Sequence, residues 1–282
     1  MNIPITATST VLFLLLLGLL FIGFIGCKAP DANLIDSPIV DELEQGMENG
    51  NASFDHGEYN DLLTRHVDAQ EGVVDYAALQ SEEAQLDEYL ASIAGVDLKN
   101  LDRGEQLALL INAYNAYTLK LIVEHYPGIE SIRDISDPWT TERYDVGGYT
   151  LSLDQIEHEI IRPLYRDPRI HFAVNCAARS CPYLPDVAFQ GERVEQQLEA
   201  RTTALLSDER FVRVDGDTLR FTRVMDWYED DFINSDFIGH APNLAQYIAR
   251  YTTDEIRAFI DEHDGDPSTS ALDYDWALND AP

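Results

Sequence analysis

The residue types best suited to chemistry lie in one short stretch, Arg169-Ile-His171-Phe-Ala-Val-Asn175-Cys176-Ala-Ala-Arg179-Ser-Cys181-Pro182. A thiol is a nucleophile once ionised, an imidazole is its usual base, and an amide or carboxylate orients that base. The apolar run around His171 predicts a buried strand over Arg169–Asn175, with His171, Ala173 and Asn175 on one face. Cys176 would then open the turn after that strand, and Arg179 would lower a thiol pKa by stabilising the thiolate.

A helix just upstream supplies further candidates. Ser152-Leu-Asp-Gln155 has the form of a capping box, and the helix it opens is expected to run to about Arg162. Its apolar stripe is Leu153, Ile156, Ile160, Ile161 and Leu164, and Glu157 falls inside it. A buried carboxylate requires a charge or hydrogen-bond partner, for which Arg133, Arg162 and Arg169 are available. His158 points to the flank of the same helix. In the long apolar helix expected over Glu105–Glu124, Asn112 and Asn115 interrupt the pattern, and buried amides there must bond to something.

These residues support four readings. Cys176 or Cys181 is a nucleophile with His171 or His158 as base and Glu157 or Asn175 as orienter, in acyl transfer or hydrolysis. Alternatively the two cysteines form a disulfide, which an oxidising compartment favours. A zinc ion held by His158, His171, Cys176 and Cys181 suits the residue types, but the spacing matches no common finger. The fourth reading is a structural polar core in a non-catalytic binding module. No cofactor is called for, no metal site is assigned, and the substrate is not specified.

The surrounding elements set the fold class. Tyr76–Ile93 reads as an amphipathic helix, and the Glu105–Glu124 helix is apolar around most of its circumference, so it runs through the core. Tyr144–Leu151 is a hairpin turning at Gly147-Gly148, and Phe211–Val214 pairs with Thr218–Phe221 around Asp215-Gly216. Helices are expected over Val194–Leu206, near Trp227 and from Asn243 onward. The mixture lacks regular strand–helix alternation, which points to a helix-rich α+β fold: one long buried helix, two short hairpins and a central strand.

Several motifs in fixed order resemble domain-of-unknown-function family 547. They are Leu110-Ile-Asn-Ala-Tyr-Asn-Ala116, Tyr126-Pro with Ser131-Ile-Arg-Asp134, Leu151-Ser-Leu-Asp-Gln-Ile-Glu-His158 with Ile161-Arg-Pro163, and Asp167–Cys176 through Ser180-Cys-Pro182. Asp226-Trp-Tyr228 and Asp273-Tyr-Asp-Trp276 look like its later landmarks. The resemblance spans about residues 60 to 278 and implies an often exported bacterial protein with no assigned activity.

The N-terminus and the charge place the protein. Val11–Gly26 is an unbroken apolar run followed by Cys27. A spanning helix needs roughly 20 apolar residues, so this shorter run fits the core of an export signal. Its end, Phe24-Ile25-Gly26-Cys27, resembles the bacterial lipoprotein processing box, in which the cysteine is acylated. An uncleaved signal anchor is the alternative, since the first ten residues carry no Lys or Arg. Residues 28 to 52 read as a flexible tether, and 53 to 282 as one globular domain. The expected location is therefore outside the cytoplasm, held to a membrane by a lipid. With 51 acidic against 19 basic residues and a formal net charge of −32, nucleic-acid binding through phosphates is excluded. The acids are scattered, as on the solvated surfaces of halophilic proteins.

Overall fold

The computed structural model describes residues 32–282, so the expected export signal and Cys27 lie outside the described residues. No helix among the described residues is long and apolar enough to cross a membrane.

A single helix, Arg103–His125, organises the fold. Asp102 caps it by accepting from the Gly104 and Glu105 amides. Every residue from Glu105 to Leu119 is buried, so the helix is enclosed on all sides, as its apolar circumference requires. Two helices, Tyr76–Ser81 and Glu83–Ala94, occupy the stretch expected to form one, with the break at Glu82. The hairpin Tyr144–Val146/Tyr149–Leu151 turns on Gly147 and Gly148, both at positive φ (59° and 84°), which glycine adopts without a Cβ clash.

Part of the expected tether is instead core. Pro38–Asn49 is a helix that buries Ile39, Val40, Leu43 and Gly46. Pro38 starts it at a position where a missing N–H costs nothing. Gly46 lies against the Leu98 carbonyl so closely that a Cβ would sit 2.5 Å from its oxygen. The pattern 39, 40, 43, 46 is helical, but its few apolar residues stand among charged ones.

A second apolar cluster forms around Phe172, Leu205, Val212, Phe221, Phe232 and Ile248. It is covered by Val194–Leu206 and by the hairpin Val212–Asp215/Thr218–Phe221. Ser268–Ala271 adds a third strand, parallel to Thr218–Phe221. Short helices at Arg223–Trp227, Glu229–Ile233, Leu244–Ile248 and Asp254–Glu262 complete this half. The fold is helix-rich α+β.

The central strand is absent. Pro168–Phe172 is a 3-10 helix capped by Asp167, whose carboxylate accepts from the Arg169 amide. Proline at the first position and a capping aspartate before it are helix-start signals that override the apolar pattern. Ile170 and Ala173 face the cluster around the long helix, while Phe172 enters the second. The segment His171 to Cys181 therefore lies at the seam between two cores.

The long helix fixes that seam through its two asparagines. Asn115 Nδ2 donates to the Ala173 carbonyl at 2.9 Å, and its Oδ1 accepts from the Asn175 amide at 2.8 Å. Asn112 pairs in the same two-handed way with the Phe189 backbone, at 2.9 and 3.0 Å. Neither Ala173 nor Asn175 belongs to a strand, so these amides replace a sheet ladder. Replacing Asn115 with alanine leaves a buried donor and a buried acceptor unpaired. The expected loss is about 2–4 kcal/mol of unfolding free energy, measured by denaturant titration.

Candidate functional site

The thiol loop begins where Asn115 releases the chain. Asn175 closes it on itself: its Oδ1 accepts from the Ala177 amide and its Nδ2 donates to the Pro182 carbonyl, both at 2.9 Å. Asn175 thus orients the loop that carries the thiols and does not meet an imidazole. Ala177 takes a left-handed conformation (φ 59°) although it has a Cβ and is fully buried. The C-terminal segment binds the other side of the loop. Asn279 N donates to Ala177 O, Arg179 N to Ala277 O, and Asp275 N to Ser180 Oγ. Beyond Pro182, Tyr183 is held between the guanidinium groups of Arg201 and Arg210, 4.7 and 5.0 Å from its ring centre.

The two cysteines are free thiols in this structure, so the disulfide of the second reading is not formed here. They differ in access: Cys176 is half-buried and Cys181 is 5% exposed. The Cys176 amide donates to Cys181 Sγ at 3.0 Å, which sets the second sulfur against the backbone of the first. Cys176 Sγ lies 3.1 Å from the Tyr274 hydroxyl. The Cys176 thiol is held below its ordinary value by the Cys181 thiol. Burial opposes this, while the Tyr274 hydroxyl and the Ala178 amide add to it; the charge of Glu157 pushes the other way. Cys181 is pushed well up, chiefly by burial. Arg179, expected to stabilise a thiolate, is exposed, and the stabilising groups are neutral donors.

Behind the loop lies a buried charged cluster. His171 Nε2 and Asp231 Oδ2 are 2.7 Å apart, and Arg162 grips the same carboxylate with Nε at 2.8 Å and Nη2 at 2.9 Å. The Tyr228 ring stacks on His171 with centroids 3.9 Å apart, and the Arg162 guanidinium lies 4.9 Å over its centre. The helix carrying Glu157 contains a π-helical segment, Gln155–Ile161, after the expected capping box, in which Ser152 N donates to Gln155 Oε1 at 2.9 Å. Such widened turns collect at functional sites. Glu157 Oε1 stands 3.8 Å from His171 Nδ1 and 3.7 Å from His158 Nδ1.

Burial raises Glu157, but His158, His171, Arg162 and the Tyr228 hydroxyl outweigh it and hold the carboxyl below its usual range. Burial likewise pushes His171 down, opposed by its bond to Asp231. With Nε2 engaged, Nδ1 is buried without a hydrogen-bond partner and faces Glu157. Of the three expected arginines, Arg162 acts on Glu157 through its charge, behind His158 and His171. Arg169 serves Asp167 at 2.5 Å, and Arg133 lies 5.2 Å over the Trp276 ring.

The structure thus gathers the predicted residues into two neighbouring groups. Cys176, Cys181 and Asn175 form the thiol loop, and Glu157, His158 and His171 form the charged cluster. Neither thiol is hydrogen-bonded to either histidine, so the expected thiol–imidazole pair is not made. Among the described residues no three His, Cys, Asp or Glu side chains are arranged to hold a metal ion. Asn112 meets His56 Nδ1 at 3.2 Å and Asn115 anchors the loop, so both are structural.

Asp231, Tyr228 and Tyr274 are additions of the structure. Tyr228 and Tyr274 stand within Asp226-Trp-Tyr228 and Asp273-Tyr-Asp-Trp276, the two late motifs, which is the sequence signal that bears on them. All three tryptophans of the chain, Trp139, Trp227 and Trp276, join Tyr274 in one aromatic cluster, with Trp276 4.6 Å and Trp227 4.7 Å from the tyrosine ring.

Asp231 sets an acid limit on this arrangement. Burial raises its carboxyl, yet His171 and Arg162 carry it down from 3.8 to about 2. A depressed carboxyl contributes stability above its unfolded value and loses it as pH falls through the folded one. About 2 kcal/mol is therefore expected to disappear between pH 4 and pH 2. Asp231→Asn removes that dependence and takes from the buried Arg162 guanidinium the carboxylate it grips twice, which costs about 3–5 kcal/mol at neutral pH. Denaturant midpoints at pH 7 and pH 3 measure both effects.

Residues 98–206 match the model of a family described as "Protein of unknown function, DUF547". The match covers the long helix, the Glu157 helix and the thiol loop, and it ends before Tyr228, Asp231 and Tyr274. No curated protein and no solved structure matches the chain.

Proposed function

For this chain, which belongs to the DUF547 family by its segment 98–206, we propose a thiol-dependent hydrolase or acyltransferase of the cell envelope. Cys176 is the nucleophile. The observation that carries this reading is the half-buried Cys176 sulfur, held below its ordinary pKa by the Cys181 thiol, the Tyr274 hydroxyl and the Ala178 amide. A thiol whose ionisation is favoured in this way depends less on an imidazole at the moment of attack.

In the proposed reaction the Cys176 thiolate adds to the carbonyl carbon of an ester or amide, the bond from that carbon to the leaving group breaks, and the leaving group takes a proton from water. Water or a second acceptor then takes the acyl group from the sulfur. Glu157 is the base that takes the proton of the attacking water or acceptor and passes it back to solvent. It lies close enough for its charge to act on Cys176, and His158, His171, Arg162 and the Tyr228 hydroxyl favour its ionised form. Asn175 and Tyr274 position the thiol.

The location follows from the N-terminus. Cys27 is the lipid attachment point and the membrane the anchor, with the signal anchor as the second reading. The acidic surface suits high-salt surroundings, where a Debye length of about 3 Å at 1 M screens its self-repulsion. Replacing Cys27 with alanine is expected to move the protein from the membrane to the soluble fraction on cell fractionation. Retention in the membrane favours the signal anchor.

Two substitutions test the chemistry. Incubation with p-nitrophenyl acetate is expected to leave one acetyl group on Cys176 by mass spectrometry after an acid quench, and Cys176→Ala abolishes it. In Glu157→Gln the thiol loses the charge that raises its pKa, so alkylation at neutral pH becomes faster. Turnover of the acyl intermediate slows by about 100-fold or more in the same variant. Equal slowing of both steps would contradict the role given to Glu157.

A further inference from the structure

We propose that Cys176 and Cys181 form a dithiol couple that exchanges with disulfides, a second activity of the same loop, with Cys176 attacking and Cys181 resolving. The inference rests on the reading of Cys176 as a reactive thiol. It adds a use for Cys181, which the acyl chemistry leaves as a supporting hydrogen-bond donor.

Three features of the loop carry the inference. The first is adjacency: Cys181 Sγ is seated 3.0 Å from the Cys176 amide nitrogen, in a loop of four intervening residues. Asn175 clamps both ends by bonding the Ala177 amide and the Pro182 carbonyl, so the two sulfurs are held as a pair. The second is asymmetry. The attacking thiol of an exchange couple must reach a substrate and be ionised, whereas the resolving thiol is best kept protected until a mixed disulfide forms. Cys176 is the accessible thiol and Cys181 is 5% exposed. The third is the proton inventory. The Tyr274 hydroxyl, 3.1 Å from Cys176 Sγ, is a donor beside the sulfur that changes charge at each step.

The reaction balances without any further reagent than a disulfide, R–S–S–R′. The Cys176 thiolate attacks one sulfur, a Cys176–S–R bond forms, the original S–S bond breaks, and R′S⁻ leaves. Cys181 loses its proton and attacks the Cys176 sulfur, which forms the Cys176–Cys181 bond and expels RS⁻. The two protons of the dithiol end on the two leaving thiolates. The protein is oxidised by two electrons, the disulfide is reduced by two, and the same steps run in reverse. In the oxidised form Cys176 is not available for acyl transfer.

The test uses the full chain and oxidised glutathione, with an acid quench and mass analysis of the 176–181 peptide. The expected result in the wild type is the loss of two hydrogens from that peptide with release of two glutathione thiols. Cys181→Ser is expected to stop at glutathione on Cys176, and Cys176→Ser to give neither product. A wild-type protein that stops at the mixed disulfide, or that stays reduced while Cys176 is still acetylated by p-nitrophenyl acetate, overturns the proposal. Exchange without acetylation contradicts the acyl reading alone. A Cys176 that is inert to both reagents contradicts the premise they share.

Discussion

The bracket that Asn115 places on the backbone at Ala173 and Asn175 is the contact on which the rest of the site depends. A helix enclosed on all sides can present only what its neighbours accept, and a carboxamide in that position must satisfy both its donor and its acceptor. It does so on a segment that has no strand partner. The segment then passes from one apolar cluster to the other, delivering His171 and Phe172 to one side and the thiol loop to the other. Asn175 repeats the device one step further, with a single side chain closing the loop that begins at Cys176.

That arrangement divides the chemistry into a neutral front and a charged rear. At the front, Cys176 meets a thiol, a phenol and a backbone amide, none of which carries a formal charge. At the rear, Asp231 is held by an imidazole and a guanidinium, and Glu157 faces the free edge of that imidazole. Charges packed at such distances away from water lower each other's freedom to titrate, so the rear is expected to remain a fixed electrostatic source through the neutral range. Its field reaches Cys176 through Glu157 and works against ionisation of the thiol. The front donors act in the opposite direction and prevail, which is why the thiol value falls and not rises.

Much of this was legible in the sequence. Glu157 stood out as a carboxylate inside an apolar stripe, and Asn112 and Asn115 as amides in an apolar helix; each proved to be buried and fully engaged. The capping box at Ser152 and the glycine turn at Gly147 formed as their local chemistry requires. The strand over Arg169–Asn175 did not, because alternation over a few apolar residues cannot outweigh Asp167-Pro168, which start a 3-10 helix. The helix Pro38–Asn49 was hidden by its acidic neighbours, since only a few apolar residues mark its buried face. The partners of the site come from residues 228, 231 and 274, far along the chain. The two late motifs mark Tyr228 and Tyr274, but no local pattern marks Asp231 or shows that these residues meet the thiol loop and the Glu157 helix, which tertiary packing alone decides.

The central claim is that the Cys176 thiol ionises more readily than a free cysteine. The pH dependence of its alkylation by iodoacetamide in the native wild-type protein, with the modified residue assigned by mass spectrometry, tests this most directly. The account predicts that Cys176 reacts before Cys181, with a midpoint below the value of about 8.5 typical of a free cysteine. A midpoint at or above that value, or modification of Cys181 first, would contradict it.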